Sequence, residues 1–277
     1  MHQTLLLNGE KHHPIRSRLA RWFLDPVLDF LYPPLCLSCG AALQSALEEN
    51  ENPNLLNQQK SFSDLLCSLC CTQLIELSKG HAIFREVHHR LEQWNIELVL
   101  SAFLMEHGGV LQLLIHEMKY NGLKRIGRRF GEIIGHRLQE QDSKPSIDGI
   151  VPVPLHFTKQ RERGFNQSDI IAHGISLVTG FPVRSDLLRR TRYTDSQTKL
   201  GLEERRANVA GAFAVVPSRQ FQIKAKRFLI VDDVITTGAT LSECARALFD
   251  SGAAWIGAAS VALVSFEEAS RQPVTSV

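Results

Sequence analysis

The sequence predicts an α/β fold, a doubly wound parallel sheet with a small cysteine-bearing region ahead of it. Three observations carry that expectation. Short apolar runs alternate with segments of helical apolar spacing from residue 96 to residue 264. One late run ends in two adjacent carboxylates, Asp232 and Asp233, followed by a loop of small and hydroxyl residues that opens a helix. Five of the six cysteines fall within the 36 residues from Cys36 to Cys71.

The elements follow in order. Ile96 to Phe103 reads as a strand, and Val110 to Met118 as a helix with Leu111, Leu114, Ile115 and Met118 on one face. Residues 123–139 form a second helical stretch, and Asp148 to Val153 has the continuous apolar character of a buried strand. Asn166 to Val178 aligns Ile171, Ile175 and Val178 as a helix. Gly211 to Val216, Arg227 to Val231 and Ala254 to Val264 complete the strands, with a helix bearing Leu241, Cys244, Ala245 and Leu248 on one side after the paired acids. Alternating strands and helices argue a parallel sheet whose ligands sit beyond the carboxyl ends of the strands. Neither GxGxxG nor GxxxxGKS/T occurs, which argues against a dinucleotide oxidoreductase and a P-loop nucleotidase.

Composition fits a compact enzyme, with 277 residues, 44% of them hydrophobic, and a net charge of +2. From Lys119 to Arg206 there are 17 Lys plus Arg against 10 Asp plus Glu. That local surplus implies a polyanionic ligand, either pyrophosphate or a nucleic-acid backbone. For Lys124, Arg125, Arg128 and Arg129, a solvated helix face is the competing explanation. The apolar run Leu5 to Leu7 is too short for a signal peptide, and no window approaches a membrane span. Residues 19–35 are apolar but broken by Asp25, Pro26 and Asp29, so they read as a short amphipathic element packed on its own domain, with peripheral membrane contact as the alternative. The expected location is cytoplasmic.

Two CxxC knuckles, Cys36 with Cys39 and Cys67 with Cys70, stand 27 residues apart in a chain without an export signal. Each places two thiolates on one tight turn, and together they complete the four-coordinate shell of a structural zinc. Cys71 competes with Cys70 for the fourth position. The long gap is filled by the polar stretch 49–63, read as a solvent loop, and His81, His88 and His89 are expected at the surface. Cys244, inside the late helix, is expected in the core.

The segment VDDVITTGAT, Val231 to Thr240, is the most informative in the chain. Thr236, Thr237, Gly238, Ala239 and Thr240 form a small-residue helix start, where backbone N–H groups and hydroxyls can hold a phosphate monoester. Carboxylates beside it suit neutral hydroxyls or a metal, so a diol and a phosphate on one scaffold satisfy both. A helix-capping acid pair or a divalent-metal site is the plainer reading. The segment resembles the phosphoribosyl diphosphate (PRPP) motif of type I phosphoribosyltransferases. That resemblance implies that Asp232 and Asp233 hold the ribose hydroxyls and that residues 236–240 hold the 5-phosphate.

The likeness extends further. IVPVP at 150–154 runs into LHFTKQRERGFNQSD at 155–169, which resembles the diphosphate loop of these transferases, with Lys159, Arg161 and Arg163 supplying charge. Residues 189–213 resemble the catalytic hood, with Gln197, Arg205 and Asn208 at family spacing. Taken with FLYPPLCLSCG and the second CxxC, the set resembles the ComF family, associated with natural competence and DNA uptake.

The resemblance implies a type I phosphoribosyltransferase-like domain over 96–266, an N-terminal zinc-ribbon region over 1–95 with an insertion at 44–62, and a flexible tail at 267–277. It implies PRPP with magnesium as ligand, Arg161, Arg163, Gln197 and Arg205 as catalytic residues, and Lys119 approaching the diphosphate. Two other classes stay open, a PRPP-sensing module without transfer chemistry and a single-stranded DNA-binding component that works with competence-machinery proteins. The acceptor and the oligomeric state are not legible.

Overall fold

The computed structural model describes residues 34–43, 61–141, 145–192 and 209–264. Gln197, Arg205, Asn208, the tail and most of the 19–35 segment lie outside them. Four strands form one parallel sheet in the order β1 (Ile96–Met105), β6 (Trp255–Val264), β5 (Arg227–Ile235), β2 (Gly149–Pro152). β3 (Leu188–Arg190) and β4 (Phe213–Val215) pair antiparallel as a separate ribbon. The expected strand at 211–216 therefore stands outside the main sheet. Its three paired residues are too few to bury a face of their own.

Successive side chains of a strand face opposite sides, and the sheet is covered on both. Leu229, Val231, Ala259 and Val261 pack under α3 (Val110–Tyr120), α4 (Lys124–Gln139) and α6 (Gln167–Thr179). Phe228, Ile230, Ile256 and Ala258 pack under α2 (Ala82–Glu92) and α7 (Ala239–Asp250). The short helices α1 (Ser68–Cys71) and α5 (Phe157–Arg163) lie outside these layers. The expected diphosphate loop thus contains α5 and the first turn of α6, because His156 and Asn166 each cap a helix start within it.

The cysteine region is not a free module. Cys36, Leu43, Phe62, Leu65, Leu66, Cys70 and Cys71 belong to the same apolar cluster as α4 and the sheet. Phe62, expected in a solvent loop, is fully buried with its ring 5.2 Å from that of Phe130. Arg125 and Arg129 on α4 ion-pair with Asp64, which gives those cations an internal partner in place of a polyanion. Residues 75–77 then run antiparallel along the edge of β1, with Leu77 N–H on Ala102 O at 3.1 Å and Leu104 N–H on Ile75 O at 2.9 Å. An exposed sheet edge is covered in this way. His81, expected at the surface, accepts from Ile83 N–H and caps α2. Among the described residues no helix is long and apolar enough to cross a membrane.

Among the described residues, α4 and α6 meet backbone to backbone. Gly127, Gly131 and Gly135 recur every four residues and so share one face of α4. A Cβ on Gly131 would stand 2.1 Å from Ile171 O, and one on Gly174 would stand 2.2 Å from Arg128 O. Both obstacles are backbone, which cannot rotate aside. Gly131→Ala should destabilise the protein by about 3 kcal/mol, the upper part of the range for overpacked cores, whereas Gly80→Ala, whose Cβ would meet nothing nearer than 4.0 Å, should be close to neutral. Chemical denaturation of the two variants is the check, and equal midpoints would rule out the close approach.

Candidate functional site

The paired acids lie inside β5, not at its end. The strand runs on to Ile235 because β6 continues beside it, pairing Asp232 with Ser260 and Ile235 with Leu263. Adjacent carboxylates in a strand leave on opposite faces, so each requires its own partner. Asp232 Oδ1 accepts from Asp233 N–H at 2.9 Å and from Ser168 Oγ at 3.2 Å. Asp233 Oδ1 accepts from Val234 N–H at 2.9 Å, and its other oxygen ion-pairs with Lys119 Nζ.

Burial and the Asp233 charge push Asp232 up to about 7. At Asp233 burial works in the same direction but is outweighed by the charge and hydrogen bond of Lys119 and by the charge of Arg163, which hold it below the usual carboxylate range. The pair therefore carries a split charge near neutral pH.

Ser168 is placed by a chain of local bonds. Asn166 caps α6 by accepting from Ser168 N–H at 3.1 Å, and its amide donates to Val153 O at 2.9 Å, just past the end of β2. The Asn166-Gln167-Ser168 segment thereby fastens the start of α6 to the sheet and aims a hydroxyl at Asp232. Sequence reasoning missed Ser168, although an Asn cap followed two residues later by Ser was a usable signal.

Cations gather on the same side. Lys159 is held below its normal range by burial and then by the charges of Arg190, Arg163 and Lys119. Arg163 donates to Gln167 Oε1 at 3.0 Å and lies over the Tyr120 ring at 5.1 Å. Arg190 lies over the Phe213 ring at 5.2 Å, and its charge also reaches Cys244. Arg161 is exposed on α5, and it is not among the charges acting on either acid. The sequence offers Arg189, Arg190 and Arg192 as contacts for single-stranded DNA, and for that reason Arg190 was not read as a residue of this site. The ribbon turns it inward, leaves Arg189 exposed, and ties Arg192 to Ala210 O at 3.0 Å.

The loop after β5 turns at Gly238, whose φ of +79° is a conformation that glycine adopts without strain. A Cβ there would also stand 2.7 Å from Leu91 Cδ2, so α2 is what excludes a larger residue. Thr237 is buried and its Oγ1 accepts from Ala239 N–H at 3.3 Å, while Ser242 Oγ donates to Gly238 O at 3.0 Å. Thr236 and Thr240 are half-buried at the start of α7. Beside the loop is a cavity of about 260 Å³ lined by Trp94, Val209, Thr237, Ala239, Ser242 and Glu243. Cys244 is fully buried, as expected.

The second centre is the cysteine cluster. The sulfurs of Cys36, Cys39, Cys67 and Cys70 all lie within 4.8 Å of one another, with Cys39 and Cys67 at 3.6 Å. A tetrahedral zinc with Zn–S bonds of about 2.3 Å has S–S edges of about 3.8 Å, whereas a disulfide would need about 2.05 Å. The donor set therefore fits a zinc-type ion. Burial opposes ionisation of Cys36, yet backbone N–H groups of Cys39, Cys67 and Ser38 outweigh it and bring the thiol down to about 6. Burial pushes Cys70 up to about 12, so a cation is what would compensate a second buried thiolate. Cys71 points elsewhere, with its sulfur 3.8 Å from Leu66 O.

Comparison with known proteins agrees with this geometry. Residues 168–274 match the phosphoribosyl transferase domain model. Competence protein F of Haemophilus influenzae is 30% identical over 218 residues, covering 77% of this chain and 90% of that protein. The chain belongs to the ComF family. The DNA utilization protein YhgH of Escherichia coli K12 is 31% identical over 147 residues, 52% of this chain and 63% of that relative. Among solved structures, adenine phosphoribosyltransferase from Leishmania tarentolae overlaps 70% of this chain and 93% of its own at 14% identity, with a TM-score of 0.35. The ComF assignment and the α/β phosphoribosyltransferase-type fold with a cysteine cluster ahead of it thus stand together.

Two outcomes follow for this ComF chain. Wild type should purify with a zinc-type ion, Cys70→Ser should fail to hold it and Cys71→Ser should keep it, as read by metal analysis of the purified variants. Because the cluster shares the main core, metal loss should also lower the melting temperature of the whole protein in one transition. Asp232 binds its proton more tightly folded than unfolded, between its ordinary value of 3.8 and about 7. Its contribution is therefore present at low pH and is lost as pH rises through that window. Asp232→Asn should be more stable than wild type at pH 8 by on the order of 1 kcal/mol or more, with the gain vanishing toward pH 4. Melting curves across that range measure it.

Proposed function

We propose that this chain binds PRPP with magnesium at the Asp232–Asp233 site and displaces pyrophosphate from C1 of the ribose onto an unidentified acceptor. The observation that carries the reading is the meeting of two carboxylates with Lys119 and Arg163, whose charges also act on Lys159 together with that of Arg190, next to the Gly238 turn. Four cations against two acids leave a positive surplus for a polyanion, while the acids suit hydroxyls that a phosphate-only site would not serve.

In this reading Asp232 and Asp233 accept from the ribose hydroxyls and fix the ring. The N–H groups at the start of α7, with Thr236 and Thr240, hold the 5-phosphate. Lys159, Arg163 and Arg190 face the diphosphate and oppose the charge that grows on it as the C1–O bond breaks and its electron pair leaves with pyrophosphate. The acceptor supplies the pair for the new bond at C1. Magnesium, when bound with the ligand, neutralises diphosphate oxygens and needs few protein ligands. Gln197 and Arg205 are assigned to the hood on sequence resemblance alone, and Arg161 to the outer rim of the diphosphate site.

The names competence protein F and DNA utilization protein, carried by relatives, support a role in the handling of incoming DNA. A PRPP-sensing module without transfer remains the second reading, favoured by the side-chain partners that already occupy the acids. Single-stranded DNA binding by the basic middle has less support than its charge alone suggests, since Arg125 and Arg129 pair with Asp64 and Arg190 lies over the Phe213 ring. Retention of PRPP without release of pyrophosphate against bases, amines and single-stranded DNA would decide for the sensing module.

Asp232→Asn with Asp233→Asn should weaken PRPP binding at least tenfold, since each charge-assisted bond to a hydroxyl contributes about 1.5–3 kcal/mol. Gly238→Val should abolish PRPP binding through backbone strain and the clash with Leu91, with the metal content unchanged. Calorimetric titration of PRPP is the measurement; wild-type affinity in the double variant would make the acids structural.

A further inference from the structure

The two acids are not equally available. Asp232 is partly exposed, and its Oδ2 has no partner among the described residues. Asp233 is buried and both of its oxygens are taken, Oδ1 by Val234 N–H and Oδ2 by the Lys119 ammonium with no further partner. A ligand that is to use Asp233 must first move Lys119. That side chain leaves the last turn of α3, next to Asn121 and Gly122, where Gly122 has φ +70° and the helix has ended. Its charge and that of Arg163 both act on Lys159, so the three cations form one mutually repelling cluster. The Asp233 carboxylate therefore holds Lys119 against two like charges, and a second anion near those cations would compete for it directly.

We propose that Lys119 is a specificity-determining residue that keeps the ribose seat closed to sugar phosphates lacking a diphosphate and opens it when a diphosphate arrives. The inference rests on the reading of this site as a ribose-phosphate site, and adds how it selects among such ligands. Diphosphate binding beside Lys159 and Arg163 draws the Lys119 ammonium off Asp233, and the freed carboxylate accepts from a ribose hydroxyl. A ligand with both ends, a pentose 5-phosphate carrying a 1-diphosphate, makes the exchange within one molecule. A pentose monophosphate has nothing to offer the displaced ammonium, and would leave it among like charges. The same device favours release of the phosphosugar once pyrophosphate has gone, because Lys119 returns to its carboxylate. Coupling of this kind is reciprocal, so each ligand raises the affinity of the other by the same factor.

The test is calorimetric titration of ribose 5-phosphate into the full-length protein, with and without saturating magnesium pyrophosphate. Wild type should bind ribose 5-phosphate at least about fivefold more tightly with pyrophosphate present, within the usual range of such coupling. Lys119→Met should bind ribose 5-phosphate without pyrophosphate as tightly as wild type does with it, and pyrophosphate should then change nothing. Lys119→Arg, which keeps the charge, should keep the coupling, and it serves as the informative variant if Lys119→Met does not fold. Equal affinities with and without pyrophosphate in wild type, unchanged coupling in Lys119→Met, or coupling lost in a folded Lys119→Arg would overturn the proposal. If wild type also bound PRPP in those cases, the ribose-phosphate reading would survive it; binding of neither PRPP nor ribose 5-phosphate would end both.

Discussion

The structure turns on two adjacent carboxylates held in an inner strand. Burial raises the cost of charging both, and their mutual repulsion raises it again. The surrounding elements answer that cost from several directions: α3 brings Lys119, the first turn of α6 brings Ser168, and α5 brings Arg163. None of these groups lies within 40 residues of the acids in sequence. The result is one acid held charged and one pushed toward its neutral form, a pair with different readiness to accept a hydroxyl.

The positions of those answering groups depend in turn on close packing. Ser168 reaches Asp232 only if α6 lies where it does, and α6 is set by backbone contact with α4 at Gly131 and Gly174. On the far side of α4, Phe62 and Asp64 from the cysteine region clamp Phe130 and Arg129. The cysteine cluster, α4, α6 and the acid pair thus form a continuous packed series. This is a physical reason for a zinc-type cluster to accompany a phosphoribosyltransferase-type sheet in one chain: the cluster completes the core on the face that aligns the site.

Legibility in the sequence varied with range. The strands at 96, 148, 227 and 254, the helices at 110, 123 and 166, and the two CxxC knuckles were readable because apolar period and ligand spacing are local signals. The extent of β5 was not, since its last four residues are strand only through pairing with β6. Phe62 looked like part of a polar loop because its partner, Phe130, is 68 positions away. Arg190 looked like a DNA contact for the same reason, and the choice between Cys70 and Cys71 turned on which way one helical turn faces.

By itself the sequence determined the residue types of the site and their local scaffolds: the acid pair, the glycine turn into α7, the capped start of α6, and two thiolate turns. These follow from neighbours in the chain, where backbone geometry and capping leave little choice. Only the tertiary structure decided how the charges are paired. Lys119 on Asp233, Ser168 on Asp232, and Arg129 on Asp64 join distant elements. Their pairing depends on the sheet order and on how closely α4 approaches α6, quantities that no local pattern encodes.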